Sequence, residues 1–230
     1  MNEYLIRLKR FIYREFDPVT KSLVLVTGLV YILSLLFSGL MILNLNELFI
    51  LNPVNVFLQP WTIVTYPLAN PDIFSLIFGL LWLWFIGGSL ERSLGSKTYG
   101  WFLALVTLLT GLAMAFTGYL FALAVPIGGL WLPLVGLTWA WANLNPYQEL
   151  LFWGLIPVKA QWLAWIQALL TFLTYLQLSH NLIFSLAAMS GIAVAYFFRG
   201  RNPLERNDFG AESREAAAKR ARRSRFRVIK

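Results

Sequence analysis

Six stretches of nearly unbroken apolar residues organise the chain, at Ser22 to Ile42, Ile73 to Leu90, Thr98 to Tyr119, Pro126 to Leu144, Ala160 to Leu178 and Asn181 to Phe198. Each approaches the ~20 residues that an α-helix needs to cross a bilayer. Apolar positions recur on every helical face rather than on one stripe, as expected for helices surrounded by lipid or by one another. The pattern predicts an all-α membrane protein, a bundle of six transmembrane helices.

The segments between these stretches differ in kind. In residues 1–21, Leu5, Leu8, Ile12 and Phe16 recur at helical spacing while Arg7, Lys9, Arg10 and Arg14 lie largely on the other side. This is an interfacial helix whose cations face anionic headgroups. The first loop, Leu43 to Asp72, is long and amphiphilic, and it contains neither Lys nor Arg. Pro53, Pro60, Pro67 and Pro71 argue against one continuous helix, and Trp61 and Tyr66 are expected to anchor the loop in the outer interface. In the fourth loop Pro146 and Pro157 bracket a short apolar turn. Residues 199–230 form a basic tail, so the chain divides into an interfacial helix (1–21), a six-span domain (22–198) and that tail.

Composition agrees with the pattern. The chain is 58% hydrophobic, with a mean hydropathy of +0.64, too apolar for an ordinary soluble domain. Cysteine is absent and histidine occurs once, so the sequence offers no metal cluster and implies no cofactor. The net charge of +8 matters through its placement. Five Lys and Arg precede the first span, two occupy the second loop, one the fourth and eleven follow Phe198, which accounts for all 19. Only alternate segments are basic, so six spans with both termini cytoplasmic satisfy the positive-inside rule. Both termini are therefore expected to contact anionic lipids. RNA or ribosome contact by the tail is a sharper alternative, but Phe226 is the only aromatic among its last arginines. The lack of a transit-like leader points to a prokaryotic inner membrane, with a thylakoid membrane as the alternative.

From Trp61 to Ser96 the residues follow a recognisable order: Trp61 and Thr65 close the first loop, a span follows, and then come Gly87-Gly88, Leu90-Glu91-Arg92 and Gly95-Ser96. With the Leu155 to Leu163 segment and the Gly191/Ala195 pair in the sixth span, this resembles the rhomboid family across about Ile42 to Arg199. Active rhomboids carry a serine in a G-x-S-G motif at the fourth span and a histidine on the sixth. Here the matching stretch is Gly129-Leu130-Trp131-Leu132, set by Val135-Gly136-Leu137, so the nucleophile position is Trp131. The base position is Ala188, and the oxyanion positions on the second span are Ser75 and Gly79. Asn70 stands for a loop histidine and Thr62 for an arginine. Indole cannot form an acyl-enzyme, and alanine cannot act as a base.

The resemblance with these side chains replaced implies a rhomboid-like pseudoprotease, not an enzyme. Such a protein would bind transmembrane helices of other membrane proteins and assist their assembly or quality control. Two alternatives stay open: a structural subunit or assembly factor of a larger membrane complex, and an active intramembrane serine protease with a displaced dyad. His180, before the sixth span, reads as a structural or interfacial residue. Asp72 and Glu91 read as a helix cap and a partner of Arg92.

Overall fold

A computed structural model describes residues 17–40, 45–146, 148–152 and 156–199. The cationic positions Arg7, Lys9, Arg10 and Arg14 and the tail after Arg199 lie outside the described residues. Among the described residues, three helices are long and apolar enough to cross a membrane: α1 (Pro18–Gly39), α4 (Ile73–Leu94) and α5 (Ser96–Leu120). Short helices α2 (Leu45–Phe49) and α3 (Thr62–Thr65) punctuate the first loop. The remaining apolar stretches form α6 (Trp131–Leu144), α7 (Ala160–Ser179), α8 (Leu182–Ala187) and α9 (Ser190–Arg199). A two-stranded antiparallel ribbon, β1 (Glu149–Phe152) with β2 (Ile156–Lys159), stands where a short apolar turn was expected.

Each departure from the expected boundaries has a local cause. Pro18 occupies the first helical turn of α1, where its missing N–H costs nothing, so this helix starts before Ser22. α6 does not begin at Pro126, because Ile127 pairs with Leu51 in an antiparallel bridge of two 2.9 Å hydrogen bonds. Gly129 then takes φ +90°, a left-handed value open to glycine, and the helix starts only at Trp131. The sixth stretch divides into α8 and α9 at a turn in which Met189 N donates to Leu186 O. α4 is continuous but holds a π-helical turn at Leu83–Gly87.

The inner end of α4 holds α1 in place. Glu91 is 1% exposed, and its carboxylate accepts from Val19 N at 3.0 Å and from Thr20 N and Thr20 Oγ1 at 2.8 Å each. These are donors of the first turn of α1, which no intrahelical carbonyl can satisfy. Arg92 instead reaches Asp17, at 2.9 Å. Desolvation raises the Asp17 carboxyl above its ordinary value, with Arg92 opposing the shift. The pairing expected between Glu91 and Arg92 is thereby corrected: both side chains serve α1, at separate points.

Between the long helices the first loop folds inward. Tyr66 is fully buried and directs its hydroxyl to Thr107 O at 3.4 Å, so it is a core residue and not the interfacial anchor expected. Trp61 is half-exposed and donates to Leu48 O at 3.0 Å, while the Thr65 hydroxyl donates to Trp61 O. Beneath this loop Leu51, Tyr66, Met114, Leu132, Phe184 and Ala188 form one apolar cluster. A second cluster gathers Leu83, Phe102, Trp141, Leu163 and Ala195 at the other end. α6 runs through both, buried on nearly all sides.

α6 meets α9 without intervening side chains. A Cβ at Gly136 would lie 2.8 Å from Gly191 O and from Val106 Cγ1. Gly191 of the Gly191/Ala195 pair therefore packs against α6, as small residues do where membrane helices cross closely.

Candidate functional site

The nucleophile, base and oxyanion positions fall on α6, the turn between α8 and α9, and α4, and the fold brings two of them into direct contact. Asp72 caps α4, its Oδ1 accepting from Ser75 N at 2.7 Å, which fixes the first turn and the direction of the Ser75 side chain. From the start of α6, Trp131 Nε1 donates to Ser75 Oγ at 2.8 Å. One turn further along α4, a Cβ at Gly79 would lie 3.2 Å from the Leu130 side chain. Ala188 is fully buried in the apolar cluster that also contains Leu132.

Two further bonds join α4 and α6 beside the Trp131–Ser75 bond. Trp82 Nε1 donates to Thr138 Oγ1 at 2.8 Å, and Trp141 Nε1 donates to Ser89 Oγ at 3.2 Å. Ser75 and Trp82 are seven residues apart, as are their partners Trp131 and Thr138, so the two helices run parallel and in register. An indole pairs one polar atom with a broad apolar face, which suits a contact that must satisfy a hydroxyl in a lipid-like interior. The sequence carries a signal for this seam in the seven-residue spacing of Ser75, Trp82 and Ser89.

Asn70 lies within the first loop, near its end, and is fully buried. Its Nδ2 donates to Pro67 O at 3.4 Å and Leu68 O at 3.3 Å, while its Oδ1 has no partner. His180 sits elsewhere: it ends α7 with φ +50°, is exposed, and its backbone N donates to Leu176 O. The neighbouring Ser179 hydroxyl is bonded to Tyr175 O at 2.6 Å, and the Ser185 hydroxyl to Asn181 O at 2.8 Å. Among the described residues no group of three or more metal-ligating side chains occurs.

Beside Trp131 lies a cavity of about 490 Å³, bounded by the first loop, the segment leading into α6, and α7. Its walls are mainly apolar, with Ile50, Pro71, Trp131 and Leu178 among them. The face of α7 that it meets is different: Gln167, Thr171 and Thr174 recur at helical spacing. Gln167 is 7% exposed, and neither its Oε1 nor its Nε2 has a hydrogen-bond partner. Sequence reasoning passed over Gln167, since a scan of the spans for charge does not register a carboxamide.

Residues 21–214 match the family described as eukaryotic integral membrane protein (DUF1751). The chain is also similar to a "Rhomboid protease GlpG homolog" of Cronobacter sakazakii, 38% identical over 111 residues, which covers 46% of this chain and 38% of that protein. To the "Rhomboid protease GlpG" of Salmonella newport it is 28% identical over 173 residues, 70% of this chain and 60% of that protein. The matches thus cover less than two thirds of either relative's length. These names overturn the expectation that the chain is not an enzyme. Relatives 28–38% identical to the chain are named as proteases, so a lack of activity does not follow from the side chains at Trp131 and Ala188 alone.

Proposed function

Because the chain belongs to the family described as eukaryotic integral membrane protein (DUF1751) and is rhomboid-like, we propose that it binds transmembrane segments of other membrane proteins and assists their assembly or quality control. The observation that carries this reading is the cavity beside Trp131. It has Trp131, the nucleophile position of the resemblance, in its wall, and it combines apolar walls with a polar face on α7. A lipid-exposed helix that bears a polar residue is costly to hold in hydrocarbon, and a partly polar cleft lowers that cost.

The proposal takes α1, α4, α5, α6, α7 and the α8–α9 pair as six spans with both termini cytoplasmic. The alternation of basic segments supports this arrangement, as does the gathering of the first loop, Trp131 and the cavity at the end of α4 away from Glu91. The bacterial relatives support a prokaryotic inner membrane, whereas the family's description as eukaryotic speaks against it.

A photo-crosslinking amino acid at Leu170 or Leu178, both on the cavity wall, tests the binding. Membrane proteins joined through their transmembrane segments are the expected products. Crosslinks to lipid alone would sink the reading. The relatives' names favour a second reading, proteolysis within the membrane. It predicts that purified chain cuts a transmembrane substrate and is labelled by a fluorophosphonate, with one Ser→Ala change abolishing both.

A further inference from the structure

Within the cavity wall, Gln167 is the polar group whose chemistry is least accounted for by the fold. A buried carboxamide normally forms most of the hydrogen bonds open to it, and leaving them unmade costs the full desolvation of both atoms. Here the acceptor and the donor are both unpaired in a residue more than nine-tenths buried. Gln167 lines the cavity, and the terminal torsion of glutamine is broad, so its amide can reorient within that wall. Thr171 follows one turn later on the same face of α7, and the opposite wall is apolar.

We infer that Gln167 is the recognition element of this cavity and takes an amide group carried by a transmembrane segment, pairing donor to acceptor and acceptor to donor. This rests on the proposed binding of transmembrane segments and names what is read in them. Hydrocarbon offers such a group no other partner, so a carboxamide that finds one gains selectively over an apolar side chain of similar size. An acyl chain has neither donor nor acceptor and would leave Gln167 as it stands. The amide has two sources: the side chain of an Asn or Gln, or a main-chain group freed where a proline interrupts the helix.

Three labelled poly-Leu/Ala peptides of transmembrane length, with Leu, Asn or Pro at the centre, separate these outcomes. Their binding to the full chain in nanodiscs is read by energy transfer from the protein's tryptophans. The Asn peptide, the Pro peptide or both are expected to bind the wild type roughly three- to fifteen-fold more tightly than the Leu peptide. In Gln167→Leu the ratio falls to near one while affinity for the Leu peptide is retained. Whichever peptide gains identifies the source.

Equal binding of all three by the wild type, or an unchanged ratio in Gln167→Leu, overturns the inference and leaves the proposed function standing. Failure of every peptide to bind overturns both. A second readout guards against a folding artefact: Gln167→Leu removes an unpaired amide and is expected to unfold at or above the wild-type temperature. A clear loss of stability would show that Gln167 is committed within the fold, against the inference.

Discussion

Glu91→Gln is the substitution whose cost the structure specifies best. It keeps the size of the side chain and removes its charge. In the folded chain the carboxylate accepts three hydrogen bonds from the start of α1 while 1% exposed. The amide keeps one acceptor oxygen and turns an NH₂ group toward at least one N–H donor. Hydrogen bonds to a charged group contribute about 1.5–3 kcal/mol each, and a buried donor left unpaired costs about 1–3 kcal/mol. A carboxylate at a helix N-terminus adds roughly 0.3–1 kcal/mol. Part of this is recovered by the remaining oxygen, so the net loss is about 2–4 kcal/mol.

The contrast is Arg92→Ala. Its ion pair with Asp17 is half-exposed on the arginine side, and such pairs contribute about 0–1 kcal/mol. Thermal unfolding in one detergent, followed by tryptophan emission, should place Glu91→Gln roughly 5–10 °C below wild type and Arg92→Ala within about 3 °C of it. If the two substitutions cost the same, or Arg92→Ala costs more, the capping argument is wrong and the pair acts as a local ion pair.

A double-mutant cycle of Trp82→Phe and Thr138→Val should return a coupling of about 0.6 kcal/mol, and no more than about 1.7 kcal/mol, the range for hydrogen bonds between membrane helices; a coupling of zero would remove that rung from the seam. Gly136→Ala should destabilise by about 1–3 kcal/mol in chemical denaturation, because its Cβ meets a backbone oxygen at 2.8 Å. Gly191→Ala, with its nearest neighbour at 3.2 Å, should cost less, and the reverse order would contradict the crossing geometry. Asp17 has a folded value raised above its unfolded 3.8, with desolvation as the main cause. The folded state then binds the proton more tightly, so stability contributed by Asp17 is lost as pH rises from about 3.8 through the raised value. Asp17→Asn should flatten that part of the stability profile, and an unaltered slope would refute the assignment.

How much of this was legible depended on whether partners were near in sequence. α4 and α5 could be placed to within a few residues, because unbroken apolar runs meet clear stops: Asp72 caps one helix, and Gly95, at φ +80°, separates it from the next. The start of α6 misled, since Pro126 to Leu130 are as apolar as a helix would be. Hydropathy records that Ile127 is buried and not that it is buried in an extended bridge to Leu51. The partners of Glu91 are not legible in the sequence, because its donors lie 71 and 72 positions earlier while Arg92 is adjacent. Tyr66 looked like an interfacial residue by type and became core through a contact 41 positions away.

At the candidate site the alignment of Trp131 with Ser75 led to two residues that do touch. Gln167 stayed hidden because it differs from its neighbours by one polar group in an apolar run. Inactivity, argued from the side chains at Trp131 and Ala188, did not survive the names of the relatives.

The π-helical turn at Leu83–Gly87 has a consequence for how this chain tolerates insertion and deletion. Such a turn closes hydrogen bonds over one residue more than an α turn, and each residue of an α-helix advances the rotation by about 100°. Loss of one residue from this segment would give an unbroken α-helix of nearly the same length and the same apolar character. The half of α4 beyond it would then keep nearly its present rotation, because the π turn already absorbs the extra residue. Straightening the segment with every residue kept would instead turn that half by about 100° relative to the half that carries Ser75 and Trp82, so the grip on α6 and the grip of Glu91 on α1 could not both persist. The segment acts as a phase adjuster, and a one-residue loss is tolerated better here than elsewhere along α4.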